Sequence, residues 1–280
     1  MIKQEQILLH EDDELSEILG LSVISRKQIQ AWPLSFVERI ILSDNTSRIY
    51  KTFHNLPIET EFYRRVQSHH IPKVFYNHSD GDNHWLLLED VEGQHPANLD
   101  CNQTLDLVHR VREIINEIGS VEPYRFDLSE NGYENFVSSS IKLLQKLHHE
   151  GNLKKVDEAV IMRIKDYLSK QEVLEAVRVR CGLLHGDLLY KNILIRPDGD
   201  IVIIDWQNIL FGPEYIDIYN FISNPIIALP LAGIGPEILR QALSIRWFAE
   251  CIDRWLPWPD FYDGEIAKIE EQIRHVVENN

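Results

Sequence analysis

The chain has 280 residues, a length that suits one two-lobed unit or two domains. With 44% hydrophobic and 26% charged residues, it has the composition of an ordinary globular protein. Its formal net charge of −16 argues against nucleic acid or an anionic membrane as a partner and favours cationic ligands. No apolar run reaches the roughly 20 residues of a membrane span, the first residues turn acidic, and the three cysteines form no metal-binding spacing, so we expect a cytoplasmic protein.

The residue pattern predicts strands in the first third of the chain and helices in the rest. A short helix with a polar face is predicted at 3–19, before three strands at 21–31, 35–44 and 47–53. A helix at 59–68 and two strands around a turn at 71–91 follow. Helical periodicity then covers 102–118, 134–149, 153–169 and 171–179, and it resumes after about residue 213. We therefore expect an α+β protein with a mostly β lobe at 1–91 and a mostly α lobe at 92–280.

The stretch LLHGDLLYKNILIRPDGDIVIIDW (183–206) places acidic and amide side chains beside apolar strands. Asp198-Gly199 between two apolar runs predicts a hairpin with a two-residue type I′ turn. With this turn, Asn192 lies directly opposite Asp205, so that both side chains leave the same face of the hairpin. An amide oxygen and a carboxylate in this arrangement suit Mg²⁺ that arrives with a phosphorylated ligand.

Asp187 precedes the first strand of this hairpin and could accept the proton of an attacking hydroxyl group. His185 is better suited to brace the same loop by hydrogen bonding. Any one of Asp187, Asn192 and Asp205 could instead cap a turn, as Asp and Asn often do. Their joint spacing favours a common site over three separate caps.

The motif HGDLLYKN resembles the catalytic loop H-x-D-x-x-x-x-N of the protein-kinase-like fold. Its His-Gly-Asp form, followed by Ile-Asp-Trp, is similar to aminoglycoside phosphotransferases and choline kinases, over roughly residues 20 to 255. The resemblance implies a bilobal protein-kinase-like fold, with ATP or GTP as co-substrate and Mg²⁺ bound between the lobes. It implies Asp187 as catalytic base, Asn192 and Asp205 as Mg²⁺ ligands, and Asp217 as a structural acid. Asp217 could equally be a simple N-terminal residue of a helix.

The same resemblance assigns nucleotide-binding residues in the N-terminal lobe. Lys51 lies on the third predicted strand, where the family keeps a lysine for the α- and β-phosphates. Its expected carboxylate partner is Glu59, with Glu61 as the alternative, although a strand lysine can also be a solvated edge residue. Glu89 begins the segment where the family's hinge offers backbone groups to the adenine. Ser35 follows a turn that lacks the glycines of protein kinases, and it could donate to a phosphate or simply begin a strand.

One further position departs from the family pattern. Leu189, two residues after Asp187, occupies a place where relatives often carry a basic residue. Any positive charge at this point must therefore come from Lys191 or from the metal.

The acceptor is expected to be a small hydroxyl compound, with an aminoglycoside or another antibiotic favoured and an amino alcohol or amino sugar next. The segment RWFAECIDRWLPWPDFYDGE (246–265) combines aromatic rings with carboxylates, as a site for an ammonium group does. Trp247, Cys251 and Trp255 could also be the apolar stripe of an amphipathic helix.

Two other functions remain open from the sequence. A pseudokinase would bind nucleotide or a partner without chemistry, although Lys51, Asp187, Asn192 and Asp205 are all retained. A metal-dependent hydrolase would need a second set of metal ligands that the motif region lacks. The protein is expected to act as a monomer or a homodimer.

Overall fold

A computed structural model describes residues 7–32, 35–55, 57–222, 233–254 and 258–279 of the chain. The chain divides into two compact units, which we call the sheet unit and the helical unit. The sheet unit comprises Lys3–Arg125 and His185–Ile209, and the helical unit comprises Phe126–Leu184 and Leu210–Asn280. The lobe boundary between residues 91 and 92 stays a prediction.

The sheet unit contains most of the strands of the molecule. Its elements are α1 (Asp12–Leu19), β1 (Val23–Trp32), β2 (Ser35–Leu42), β3 (Ser47–His54), α2 (Ile58–Arg65), β4 (Val74–Asp80), β5 (Asn83–Glu89), α3 (Cys101–Ile118), β7 (Ile193–Ile195) and β8 (Ile201–Ile203). Strands β1 to β5 form one antiparallel sheet in the order β1-β2-β3-β5-β4. The five strands predicted from alternating polarity are therefore present, with ends that differ by a few residues.

One face of this sheet is covered by α1. Leu15 of α1 is buried against Ile40, Tyr50 and Leu87, which alternate with residues of the opposite face along their strands. The segment before α1 is also tied to the sheet, because the Leu8 carbonyl accepts hydrogen bonds from Thr52 Oγ1 (3.1 Å) and Trp85 Nε1 (2.9 Å).

The helix predicted at 3–19 is shorter in the structure and begins at Asp12. The Glu11 backbone N–H donates to Glu14 Oε2 (2.7 Å), which is half of a capping box and marks the helix start. Residues 7–11 are not helical, and the backbone groups of Leu8 and His10 bond instead to side chains of the sheet strands. Residues 3–6 lie outside the described residues.

The hairpin of β7 and β8 has a register that differs from the prediction. Ile193 pairs with Ile203 and Leu194 with Val202, so the loop contains three residues, Pro197, Asp198 and Gly199. A two-residue turn would require Pro197 to donate an N–H to Asp200, and proline has none. Gly199 instead adopts φ 92°, which is typical of three-residue hairpin loops. The predicted type I′ turn is therefore wrong.

In its described residues, the helical unit contains five longer helices, a short helix α6 and a two-stranded ladder. Its elements are α4 (Tyr133–His149), α5 (Glu158–Leu168), α6 (Gln171–Val177), β6 (Cys181–Leu184), β9 (Leu210–Pro213), α7 (Tyr215–Ile222), α8 (Ile234–Asp253) and α9 (Pro259–Glu278). Helix α5 starts later than predicted because Asp157 caps it, accepting from the Val160 N–H (2.9 Å). Across the described ranges, no helix combines the length and the apolarity needed to cross a membrane.

Candidate active site

Lys51 lies at the centre of the sheet unit and contacts two carboxylates. It is on β3 between Val37 of β2 and Leu86 of β5, so the interpretation as a solvated edge residue is wrong. Its Nζ is 2.6 Å from Glu59 Oε2 and 2.6 Å from Asp205 Oδ1, and the residue is 7% exposed. Glu59 is therefore the partner carboxylate, as the sequence favoured. Glu61 pairs instead with Arg64 and Arg65 of its own helix.

The burial of this cluster shifts the pKa values of its members. Burial raises the pKa of Glu59 above its usual range, although the charge of Lys51 opposes this shift. Burial alone would lower the pKa of Lys51, but the carboxylates of Asp205 and Glu59 outweigh it and raise that pKa. Burial likewise favours the neutral form of Asp205, yet the contact with Lys51 holds its pKa below the ordinary value. Lys51 and Asp205 thus form a charged pair at neutral pH.

Asp205 reaches Lys51 from the end of the hairpin. It follows β8 with φ 68°, a left-handed conformation that Asp tolerates better than most residues. The predicted pairing of Asn192 with Asp205 is wrong, because the Ile204 N–H donates to the Asn192 carbonyl (2.9 Å) and makes Ile204 the residue opposite Asn192. Asp205 lies one residue beyond that pair, where the chain leaves the ladder.

Asn192 holds the loop that carries Asp187. Its Nδ2 donates to the Asp187 carbonyl (2.7 Å) and to Asp187 Oδ2 (3.3 Å), and the residue is 3% exposed. The Asp187 side chain remains partly open to solvent. Burial raises the pKa of Asp187, with the charge of Lys191 opposing the shift and that of Asp205 adding to it. A general base is most effective when its pKa approaches the working pH, so the shift has the direction that this role needs.

His185 connects the Asp187 loop to the segment that precedes Asp205 by hydrogen bonds. Its ring is fully buried, Nε2 lies 2.9 Å from the Ile204 carbonyl, and Nδ1 accepts from the Asp187 N–H (3.3 Å). The ring therefore connects the backbone at Asp187 to the backbone at Ile204. Gly186 next to it has φ 79°, and a Cβ there would lie 2.0 Å from the Asn208 carbonyl oxygen, so only glycine fits.

An aromatic stack links α2 to the residue after Asp205. The rings of Phe62 and Trp206 are parallel, with centroids 4.3 Å apart, and Trp206 Nε1 donates to the Ile203 carbonyl (2.9 Å). Phe62 is three residues after Glu59, so one helix contacts both Lys51 and the Asp205 loop. This contact was not predicted from the sequence, where its signal is an aromatic residue close after each of two candidate acids, Phe62 after Glu59 and Trp206 after Asp205.

Two side chains of this cluster offer oxygens for a divalent cation. Asn192 uses its Nδ2 within the loop, which leaves Oδ1 to act as a ligand, and Asp205 Oδ2, among the described residues, has a long contact with Gln207 Nε2 (3.4 Å). One amide and one carboxylate oxygen fit Mg²⁺, which takes few protein ligands beside phosphate and water. In the part of the chain that the structure describes, no three His, Cys, Asp or Glu residues form a metal-binding group.

Ser35 and Glu89 are less directly connected to this cluster. Ser35 pairs with Trp32 and Phe53 at one end of β2, beside residues 33 and 34, which lie outside the described residues. The Glu89 side chain pairs with Arg196 (2.7 Å), and its N–H donates to the Lys73 carbonyl (2.8 Å). The nucleotide-binding roles of both residues stay predictions.

Two further expectations concern the helical unit. Asp217 is fully buried in the first turn of α7, and its structural role stays a prediction. Trp247 is 40% exposed whereas Cys251 is buried, so the two do not share one apolar stripe, and Trp255 lies outside the described residues.

The carboxylates proposed to hold a cationic acceptor already have partners within the helical unit. Asp253 pairs with Lys146 (2.5 Å), Asp260 with Lys154 (2.6 Å) and Glu250 with Arg246 (2.7 Å). Asp263 accepts from the N–H groups of two consecutive residues, Lys154 and Lys155. The expected cage of aromatic rings and free carboxylates is therefore not supported by the described residues.

Solved structures share this fold at low sequence identity. A thermostable mutant of aminoglycoside phosphotransferase APH(4)-Ia, in a complex with ADP and hygromycin B, has a TM-score of 0.63 and 16% identity, covering 95% of this chain and 97% of that chain. A putative fructosamine-3-kinase from Haemophilus somnus 129PT has a TM-score of 0.59 and 14% identity, covering 94% and 96%. The AMP-bound spectinomycin phosphotransferase APH(9)-Ia has a TM-score of 0.56 and 14% identity, covering 94% and 98%.

Among curated proteins, none matches the sequence. The model of the family described as APH, phosphotransferase enzyme family, matches residues 35–256. This match includes the strand of Lys51 as well as the loop and hairpin of Asp187, Asn192 and Asp205. With an α+β, protein-kinase-like fold and these residues assembled, the chain belongs to the APH phosphotransferase family and is a small-molecule phosphotransferase that uses a hydroxyl group as acceptor.

Proposed function

We propose that the protein transfers the γ-phosphate of ATP or GTP to a hydroxyl group of a small cationic compound. The observation that carries this proposal is the position of Lys51, 2.6 Å from both Glu59 and Asp205, in the same unit as the Asp187 loop. Phosphoryl transfer depends mainly on positioning and on charge neutralisation, and these residues supply both.

Each residue has a defined part in the proposed reaction. Lys51 binds the α- and β-phosphates of the nucleotide, and Glu59 holds the lysine in place. Asp187 orients the acceptor hydroxyl and takes its proton, while Asn192 keeps the Asp187 loop in position through its Nδ2. Asn192 Oδ1 and Asp205 Oδ2 would hold Mg²⁺, which, when bound, neutralises charge on the phosphate oxygens.

The nucleotide is supported by the complexes of similar structures. APH(4)-Ia was solved with ADP and APH(9)-Ia with AMP, both at full-length coverage of the fold. We expect the backbone after Glu89 to contact the base and Ser35 to lie near the phosphates. A cytoplasmic location, where nucleoside triphosphates are abundant and the free cysteines Cys101, Cys181 and Cys251 stay reduced, is part of this proposal.

The acceptor is proposed to be cationic on two grounds. The net charge of −16 concentrates cations near the surface and disfavours anionic acceptors. The similar structures include phosphotransferases whose names specify spectinomycin and fructosamine, together with a complex of hygromycin B. Aminoglycosides are therefore the first class to test, followed by amino sugars and amino alcohols.

The test is a coupled assay of nucleotide consumption over a panel of these acceptors, with mass spectrometry of the product. The wild-type protein should phosphorylate at least one acceptor, and Asp187→Asn should lower kcat by about 10²- to 10⁴-fold, the usual contribution of a general base. Nucleotide affinity, measured by calorimetry, should stay near the wild-type value because Asp187 contacts the acceptor and not the nucleotide.

Asp198→Asn is the matched control, since it makes the same change at an exposed loop position of the neighbouring hairpin. It should leave kcat unchanged. Nucleotide binding without transfer to any acceptor would contradict the proposal and favour a pseudokinase. Phosphate release that needs no acceptor would favour a hydrolase.

A further inference from the structure

Lys191 is the one cation near Asp187 whose charge is not already committed, among the residues that the structure describes. Lys51 is held between two carboxylates at 2.6 Å, and the fully buried ring of His185 is hydrogen-bonded to backbone groups at both of its nitrogens. Lys191 Nζ lies 3.7 Å from Asp187 Oδ2, a loose contact, and its side chain is 64% exposed. Such a contact between exposed groups contributes little to the free energy of folding, so it does not hold the lysine side chain in one position.

The backbone of Lys191 is fixed on both sides although its side chain is not. It lies in a single 3₁₀ turn, Tyr190–Asn192, that directly precedes β7. On one side, Tyr190 OH donates to Thr104 Oγ1 of α3 (3.3 Å), and on the other, Asn192 donates to Asp187. The turn therefore presents the lysine from a fixed point beside the proposed base.

We propose that Lys191 is a catalytic residue that contacts the oxygens of the γ-phosphoryl group during its transfer. This inference rests on the proposed function. An acceptor hydroxyl held by Asp187 places its oxygen about 2.6–3.2 Å from the carboxylate, and the phosphorus it attacks lies about 3–3.5 Å further. A flexible lysine whose Nζ starts 3.7 Å from the same carboxylate reaches that phosphoryl group by rotation of its side chain alone.

The reaction step is a simple displacement. The acceptor oxygen forms a bond to the γ-phosphorus, and the bond from that phosphorus to the β,γ-bridging oxygen breaks. The hydroxyl proton passes to the Asp187 carboxylate, and the nucleoside diphosphate leaves with the bonding electrons. Lys191 gains and loses no proton, since it acts by placing positive charge against the three equatorial oxygens.

The position two residues after Asp187 carries a half-buried leucine with no charge to offer. Lys191 is two residues further along the chain, within the turn Tyr190–Asn192, and presents a cation beside the same loop.

The test compares Lys191→Met, which keeps the length of the side chain, with Lys191→Arg, which keeps the charge. Lys142→Met makes the same change at an exposed position of α4 and serves as the control. Lys191→Met should lower kcat by about 10²- to 10³-fold, the usual effect of removing one transition-state donor. Nucleotide affinity should change little, Lys191→Arg should restore part of the rate, and Lys142→Met should behave as wild type.

A pH profile separates this role from an indirect one. If Lys191 contacts the phosphoryl group, Lys191→Met keeps its deficit on the high-pH plateau, where Asp187 is ionised in every variant. A Lys191→Met enzyme that reaches the wild-type rate on that plateau would overturn the inference, while the proposed function would still hold. A wild-type protein that phosphorylates no acceptor would overturn both.

Discussion

At the scale of single residues, the cluster of Lys51, Glu59 and Asp205 decides how the site is built. Glu59 is 2% exposed, and its nearest cation is Lys51. A buried carboxylate without a partner is far more costly than a buried ion pair, because desolvation of the charge is then not offset by attraction. Removal of either member would therefore leave the other with this cost and would also disturb the proposed nucleotide site.

Removal of Lys51 should accordingly destabilise the fold. Lys51→Met leaves Glu59 buried without a cation, and we expect a loss of about 3–5 kcal/mol in the free energy of unfolding. The double variant Lys51→Met/Glu59→Leu removes both charges and should regain most of this loss, while transfer activity stays absent in both. Urea unfolding measures the first effect and the coupled assay the second. Lys27→Met, on the exposed edge strand β1, is the control; equal stability of the single and double variants would contradict the expectation.

His84 gives the protein a predictable response to acid. The residue is 4% exposed on β5, its ring stacks on Phe53, and its Nδ1 is 2.8 Å from Ser79 Oγ. Burial lowers the pKa of His84 below its ordinary value of about 6.5, and the charge of Arg64 lowers it further. The unfolded chain therefore takes up this proton at a higher pH than the folded chain does. The contribution of His84 to the free energy of unfolding is fully present above about pH 6.5. It is lost as the pH falls from that value towards the lower folded pKa.

Replacement of His84 tests this sign. His84→Gln should be less stable than wild type at pH 7, since the ring contacts are lost, but its stability should fall less between about pH 7 and pH 5. Urea unfolding at several pH values gives the two slopes. His109→Gln, at an exposed position of α3, should keep the wild-type slope. An unchanged slope in His84→Gln would show that other groups cause the acid sensitivity.

At the scale of elements, the hairpin of β7 and β8 connects the proposed base to the Asp205 segment. Its three-residue loop depends on Gly199, which has φ 92° and no heavy atom within 4 Å of the position of a Cβ. A side chain at this position meets no neighbour, so any cost of substitution comes from the backbone alone.

Gly199→Ala should therefore cost about 1–2 kcal/mol, the strain of a left-handed residue with a Cβ. Gly199→Asn should cost less because asparagine tolerates positive φ. Both values come from urea unfolding. Gly81→Ala, with φ 56° in the turn between β4 and β5, is a second site of the same kind and should show a similar loss. A Gly199→Ala protein as stable as wild type would mean that the loop changes its conformation.

At the scale of the whole molecule, the net charge of −16 acts on the two substrates in opposite directions. It attracts a cationic acceptor and repels a nucleoside triphosphate, and salt screens both effects over a Debye length of about 8 Å at physiological ionic strength.

The kcat/KM for a cationic acceptor should therefore fall as salt increases from about 10 mM to about 150 mM, as expected for electrostatic steering. The kcat/KM for the nucleotide should stay level or rise over the same range. Initial rates at fixed pH measure both, and an uncharged acceptor of similar size is the control. An equal fall for charged and uncharged acceptors would point to a general salt effect on the enzyme.

Local patterns were sufficient for much of the fold, and they singled out residues that the structure brings close together. The alternation of polarity over 21–53 predicts three strands that the structure contains, since neighbouring residues decide which face is apolar. The motif spacing identifies Asp187, Asn192 and Asp205, and the order of elements identifies Lys51 with Glu59. In contrast, the predicted pairing of Asn192 with Asp205 is wrong by one position, because Pro197 could not close a two-residue turn.

By itself, the sequence determined the element types, the family motif and the acidic surface, because each depends on residues close together in the chain or on composition. The tertiary structure alone decided which charges are free. In it, Glu59 pairs with Lys51, and the carboxylates of α8 and α9 bind lysine, arginine and backbone N–H groups. Among the described residues, Lys191 makes a loose contact with Asp187. Such pairings join residues far apart in sequence, and their strength depends on distance and burial, which no local pattern contains.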